Sequence, residues 1–269
     1  MTDTAVLFPG QGAQAPGMSR DFFEGFQAAR QVFEEASDVL GYNMEQQIFE
    51  GKDLDLTEFT QPAILTASRA IAVCLDMNET QATAGLSLGE YSALVYAGSL
   101  SFADALRVVK ARGTFMQEAV PAGVGGMTAV LRLDRERIEN ILDGLGMDAW
   151  IANVNCPGQI VVSGRLDALE AFRQQAMDAG AKGCVDLPLS APFHTEMLEP
   201  AALRLQEVLE SVDVRRPRTP VVFNVTAQPE QDPVKIRQLL TRQVMSPVLF
   251  EDSLRTLEGM GIRRMIEIG

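Results

Sequence analysis

A serine set between two glycines, where an apolar run gives way to a helical one, leaves few folds open. Residues 83–98 read TAGLSLGEYSALVYAG, with Ser87 between Gly85 and Gly89. G-x-S-x-G between a strand and a helix marks a strained turn that lifts a hydroxyl to a helix N-terminus. The unpaired N–H groups there favour developing negative charge. An ordinary serine cap fits the five residues as well; the strand before and the helix after favour a nucleophile.

The surrounding sequence alternates as that turn requires. AVLF (5–8) is a buried strand closed by Pro9-Gly10, and helical apolar spacing covers 18–40 and 62–77, the second opened by Gln61-Pro62. A helix runs from Ser87 to about Ala97 and another over 101–119. The alternation predicts a parallel sheet covered by helices. At VGGM (124–127) the order changes to β-α-β-β-α-β, ending with KGCVDLPL (182–189). That is the split βαβ, or ferredoxin-like, arrangement, and it predicts an inserted subdomain over 125–189. The first pattern then resumes with a helix at 195–212, a strand at 220–226, helices near 233–244 and 249–259, and a last strand, IRRMIEIG. The core therefore comprises 1–124 and 190–269.

Composition matters mainly for partners. The 269 residues carry a formal charge of −13, which argues against nucleic acid. The N-terminus shows no basic leader followed by an apolar run, and no stretch is apolar enough to span a membrane, so a cytoplasmic chain without membrane association is expected. Three widely separated cysteines with no CxxC pair predict neither a disulfide framework nor a metal site. No exposed apolar seam stands out, and a monomer is expected.

A nucleophilic serine needs a base. The only histidine is His194, in LPLSAPFHTEML; Glu196 and Glu199 nearby start the next helix, and a backbone carbonyl would serve to orient the imidazole. On helix 101–119, Arg112 falls against the face of Leu106, Val109, Gly113 and Met116. A buried guanidinium needs an anionic or strongly polar partner, which leaves an internal ion pair or capture of a substrate carboxylate. Gly10–Ala15 formally fits the dinucleotide pattern G-x-G-x-x-G/A, the one support for an NAD-dependent oxidoreductase. Against it, Pro16 falls where the phosphate-binding helix should run. The same loop would equally supply N–H groups to an oxyanion hole.

FPGQGAQ, TQPAILTAS, LSLGEYSAL, RGTFMQEA, NVNCPGQIVVSG, LSAPFHTEMLEPA, NVTAQP and RQVMSPVLFEDS occur in this order along the chain. On these motifs the sequence resembles the malonyl-CoA:acyl carrier protein transacylases. The resemblance implies an α/β-hydrolase-like core with an inserted ferredoxin-like subdomain, acyl transfer from malonyl-CoA through a serine ester, and acyl carrier protein as partner. It implies no resident cofactor, the phosphopantetheine being carried by the partner. It further implies Ser87 as nucleophile and His194 as base, with the amides of Gln11 and Leu88 as oxyanion hole. Arg112 would grip the malonyl carboxylate, Gln61 and Met116 would line the acyl pocket, and the backbone of Gln243 would hold the imidazole. Two departures stand out: Leu86 replaces the usual histidine of GHSxG at a position expected to point away from the base, and family members continue past EIG into a closing helix. Leu86 resembles acyltransferases that serve polyketide synthases, so a trans-acting malonyl transferase or an editing acyl hydrolase is the alternative. An acidic carrier would need a basic island, for which Arg215, Arg216 and Arg218, or Arg107 with Lys110, are candidates. The choice between malonyl and methylmalonyl would depend on shape near Met116 and Phe193.

Overall fold

Short apolar runs far apart in sequence pair side by side, and their register puts Ser87 at one sheet end. The structure, a computed structural model, describes residues 3–75, 80–189 and 191–269. In chain order the elements are β1 (Thr4–Phe8), α1 (Arg20–Gly25), α2 (Gln27–Leu40), α3 (Met44–Phe49), α4 (Thr57–Ala72), β2 (Ala82–Gly85), α5 (Gly89–Tyr96) and α6 (Phe102–Glu118). There follow β3 (Gly125–Leu131), α7 (Arg135–Leu145), β4 (Ala149–Cys156), β5 (Gln159–Arg165), α8 (Leu166–Asp178) and β6 (Gly183–Asp186). A 3₁₀ turn leads into α9 (Glu199–Glu210), then β7 (Val221–Phe223), β8 (Gln228–Glu230), α10 (Pro233–Gln243), β9 (Val248–Leu249), α11 (Phe250–Gly259) and β10 (Arg264–Glu267).

The first sheet has the order β10-β1-β2-β7-β8. β1 runs parallel to β10 and β2, and β2 parallel to β7. The wholly parallel sheet expected is corrected at one edge, where β8 returns antiparallel on β7. The hairpin is too short for the crossover a parallel neighbour needs. One core cluster joins Val6, Phe8, Leu65, Leu94, Leu106, Val109 and Phe223 to the helical layer; a smaller one sets Ala5, Leu7, Ala84 and Val222 against Leu257 of α11. Apolar side chains thus cover both faces of the central strands, as expected of buried parallel strands.

The second sheet has the order β6-β3-β5-β4-β9, antiparallel except for the β4–β9 pair. Its α7 and α8 bury Ile138, Leu169 and Phe172 with Val130 and Val162. β9 comes from after the 125–189 segment, so a later stretch of chain extends this sheet. Among the described residues no helix is long and apolar enough to cross a membrane.

Three helices differ from their expected spans. The run 18–40 is two helices broken at Phe26, whose φ of −130° and ψ of 129° are extended; Arg30 caps the break by donating to the Phe23 and Glu24 carbonyls at 3.0 and 2.9 Å. α4 begins at Thr57, so Pro62 sits inside the helix rather than in its first turn. Burial of nearly the whole helix offsets the hydrogen bond that proline forgoes. Met77, the expected end of this helix, lies outside the described residues.

Candidate active site

Gly85 ends β2, Gly89 starts α5, and the three residues between them make the turn. Ser87 adopts a φ of 52°, in the left-handed region. A non-glycine residue there costs about 1–3 kcal/mol and persists only where its surroundings impose it. They do: Asn224 Oδ1 accepts from the Ser87 N–H at 2.7 Å, and Asn224 Nδ2 donates to the Gly85 carbonyl at 2.8 Å. The Leu86 N–H donates to the Phe8 carbonyl at 3.0 Å. Neither flanking glycine can carry a side chain. A Cβ on Gly85 would lie 1.9 Å from the Gly89 carbonyl carbon, and one on Gly89 would lie 2.3 Å from the Phe8 oxygen. Gly89→Ala should therefore cost more than about 3 kcal/mol, at the upper end for overpacking. Thermal unfolding should show it as a melting temperature roughly 6–12 °C lower.

His194 also has a left-handed backbone, φ 61°, and its ring meets the turn. Nε2 lies 2.8 Å from Ser87 Oγ and Nδ1 2.8 Å from the Gln243 carbonyl oxygen. A carbonyl only accepts, so Nδ1 carries the hydrogen and Nε2 is left to accept from the serine hydroxyl. Burial, with the Arg112 charge beside it, pushes the imidazole down to about 4. The base is therefore neutral near neutral pH. Protonation of Nε2 would remove it, so Ser87 acylation should stay flat between about pH 5.5 and 7 and fall by half near about pH 4. Initial rates of acylation across that range check this; a midpoint near 6.5 would mean an unshifted histidine.

Arg112 is 1% exposed. Nη1 donates to Gln61 Oε1 at 2.9 Å; Nη2 donates to Ser87 Oγ at 3.1 Å and to Gln243 Oε1 at 3.0 Å. Nε has no partner, and among the described residues no carboxylate lies within ion-pair distance. The internal salt bridge that α6 alone allowed is thus replaced by contacts to neutral amides, and burial pulls the guanidinium pKa down while Tyr91 and Glu90 oppose it. Gly113, next to it, lets α6 approach the first turn of α4, where a Cβ would meet the Thr57 oxygen at 2.6 Å. Gln61 Nε2 in turn lies 3.8 Å from Met116 Sδ.

Of the remaining expected residues, Gln11 and Met116 line the cleft beside Ser87, whereas Gln61 stands behind Arg112, accepting from its Nη1. A cleft of about 170 Å³ is bounded by Gln11, Leu86, Ser87, Arg112, Phe193 and His194 on the core side, with Met116. Asn153, Asn155, Val161 and Met127 of the second sheet face them. The backbone N–H groups of Gln11 and Leu88 donate to no protein acceptor among the described residues, and Leu88 stands at the N-terminus of α5. Leu86 corrects an expectation: it borders the cleft rather than pointing elsewhere, and its Cδ2 would lie 2.7 Å from a Cβ on Gly10. The base survives regardless. The Gly10–Ala15 loop opens no phosphate-binding helix, since α1 starts only at Arg20, and the Gly12 N–H is taken by Gln14 Oε1 at 2.7 Å. A larger groove of about 780 Å³ between α9, β8 and α10 contains none of these residues.

Neither basic island reaches the site. The backbone N–H groups of Arg215 and Arg218 donate to the Ser99 and Ala97 carbonyls, just past the end of α5. Ser87 precedes the other end, about 12 Å away along an eight-residue helix. Arg107 pairs with Asp104 at 3.2 Å, and Lys110 covers the Tyr42 ring.

Glu90, Asn224 and the side chain of Gln243 escaped the sequence-based expectations. Glu90 is fully buried and burial pushes it up to about 8, against the opposing pull of the Asn224 N–H, Arg112 and Gln243. One signal was available: from Leu88 to Ala97 apolar residues leave α5 no polar face, so an acid within it is enclosed rather than solvated.

A serine on a strained strand-to-helix turn, paired with a neutral histidine, defines the class: α/β proteins built around a nucleophile elbow. The chain belongs to the acyl transferase domain family, which it matches over residues 6–269. It is 44% identical over 278 residues to the malonyl CoA-acyl carrier protein transacylase of Bacillus subtilis (strain 168), covering 100% of this chain and 87% of that relative. Among solved structures, an acyl carrier protein S-malonyltransferase from Vibrio cholerae superposes with a TM-score of 0.96 at 40% identity, covering 100% of this chain and 90% of that one. A malonyl-transacylase in complex with its type II PKS acyl-carrier protein superposes with a TM-score of 0.96 at 39% identity, covering 100% and 89%.

Proposed function

We propose that the chain transfers a malonyl group from malonyl-CoA to the phosphopantetheine thiol of an acyl carrier protein, by a ping-pong route through an ester on Ser87. Ser87 Oγ attacks the thioester carbonyl while its proton passes to His194 Nε2. The oxyanion is met by the N–H groups of Gln11 and Leu88, the C–S bond breaks, and the CoA sulfur takes the proton from His194. In the second half the carrier thiol gives its proton to His194 and attacks the ester; the departing Ser87 oxygen recovers it. Met116 borders the acyl group, Gln61 holds Arg112 from behind, and Gln243 orients the imidazole through its carbonyl. The observation that carries this reading is Arg112, a buried guanidinium 3.1 Å from Ser87 Oγ with no carboxylate of its own among the described residues. A malonyl carboxylate supplies the missing anion.

We assign the product to fatty acid synthesis and read 125–189, with its β-α-β-β-α-β order, as a ferredoxin-like insertion. A carrier of polyketide synthesis is the second reading, favoured by the likeness to the type II complex and by Leu86 at the cleft. Intact mass spectrometry tests the activity. Malonyl-CoA should add one malonyl group to the protein, and a pantetheinylated carrier should remove it and gain that mass. Loss of the adduct to water alone would make the chain a hydrolase; no adduct on a folded protein would overturn the reading.

A further inference from the structure

Among the described residues the reaction leaves one buried carboxyl group without a task. Glu90 lies in the first turn of α5, three residues past the nucleophile, with no exposed surface. Each of its oxygens is taken by a different stretch of chain. Oε1 accepts from the Asn224 N–H just after β7, and Oε2 accepts from Gln243 Nε2 at 2.5 Å at the end of α10. Those two residues hold everything else in place. Asn224 grips the elbow at the Ser87 N–H and the Gly85 carbonyl. Gln243 Nε2 also donates to the Ser87 carbonyl at 2.9 Å, its Oε1 accepts from Arg112, and its backbone carbonyl receives His194.

We propose that Glu90 is a positioning residue for the reaction: its carboxyl group fixes the amide orientation of Gln243, and through it the Arg112 guanidinium, while tying Asn224 beneath the Ser87 turn. The orientation of Gln243 is the crux. With Nε2 facing Glu90 and the Ser87 carbonyl, Oε1 must face Arg112. Were the amide reversed, its NH₂ group would meet the guanidinium, and two sets of donors would oppose each other in a buried site. Both oxygens of Glu90 face N–H donors, so it enforces the productive orientation as the carboxylate, the form that the Asn224 N–H, Arg112 and Gln243 favour against burial. An amide there keeps the shape but places a donor against either the Asn224 N–H or Gln243 Nε2. The error then passes to Arg112 and to the elbow without any change in what touches substrate.

The inference rests on the malonyl reading for its main measurement. Single-turnover acylation of Ser87 by malonyl-CoA and by acetyl-CoA, followed by intact mass, compares the wild type with Glu90→Gln and with Glu90→Gln combined with Gln243→Glu. For Glu90→Gln the malonyl rate should fall about 100-fold, the scale set by a misplacement of about 1 Å, and the preference for malonyl over acetyl should fall about tenfold. The double variant again pairs an acceptor with a donor between positions 90 and 243. If Glu90 merely satisfies buried donors, that swap restores both stability and malonyl preference, which would overturn the proposal. If Glu90 positions the clamp, the swap folds yet the preference stays low, because the carboxylate now at position 243 faces Arg112 directly. A folded Glu90→Gln within twofold of the wild type in rate and preference also overturns it; should that variant not fold, the double variant decides. Should the wild type take up no malonyl group, the functional reading fails separately. Labelling of Ser87 by phenylmethanesulfonyl fluoride then replaces acylation, with a tenfold slower rate in Glu90→Gln expected and an unchanged rate overturning the inference.

Discussion

Ser87→Ala is expected to show no gain in intact mass after incubation with malonyl-CoA, and its initial rate of transfer to the carrier protein should fall by about 10⁴-fold or more. The size follows from the turn. Among the described residues no other hydroxyl bonds both His194 Nε2 and Arg112 Nη2, so none of them substitutes for the lost nucleophile. His194→Ala should cost a similar factor, and the double variant little more than either alone, because the two act as one unit. The fold should survive each change, since the strained backbone at Ser87 is held through its N–H and carbonyl rather than through its hydroxyl. Circular dichroism and a melting temperature near the wild-type value check that point. A Ser87→Ala protein that still gains malonyl mass would move the nucleophile elsewhere and sink the mechanism.

The sequence made some of this legible and hid the rest for physical reasons. Apolar period and glycine placement marked β1, β2 and α5, because a buried strand, a tight turn and an enclosed helix each restrict residue type. Ser87, His194 and Arg112 stood out for related reasons: a hydroxyl between obligatory glycines, the chain's one imidazole, and a cation on an apolar face. β8 and β9, of three and two residues, carry no period to detect; tertiary pairing alone makes them strands. The interior proline of α4 misled because a local preference for the first turn was overridden by burial of the whole helix. Glu90 was hidden more deeply. A first-turn acid satisfies the helix-dipole rule, and that ordinary solvated role masks the enclosure which the apolar residues around it imply. Its enclosure depends on Asn224 and Gln243, more than 130 residues away in the chain.

Arg112→Ala should change which acyl group is accepted more than whether one is. For malonyl-CoA, kcat/KM is expected to fall by about 10²–10⁴-fold, because a carboxylate entering a buried cleft would lose its charge-assisted partner, a loss of about 3–5 kcal/mol. For acetyl-CoA, with no carboxylate to place, the fall should be tenfold or less, so that the preference between the two donors collapses or reverses. Arg112→Lys should recover part of the malonyl rate: an ammonium keeps the charge but loses the planar fork that spans Gln61, Gln243 and Ser87 at once. The comparison of donors separates two roles that a single rate would merge. Nη2 sits 3.1 Å from Ser87 Oγ, close enough to stabilise negative charge on the nucleophile with any substrate. If that were its main task, malonyl and acetyl transfer would fall together by the same factor. Equal losses would therefore leave Arg112 as a partner of Ser87 and return the malonyl carboxylate to the search for a binding group, whereas unequal losses assign the guanidinium to the substrate.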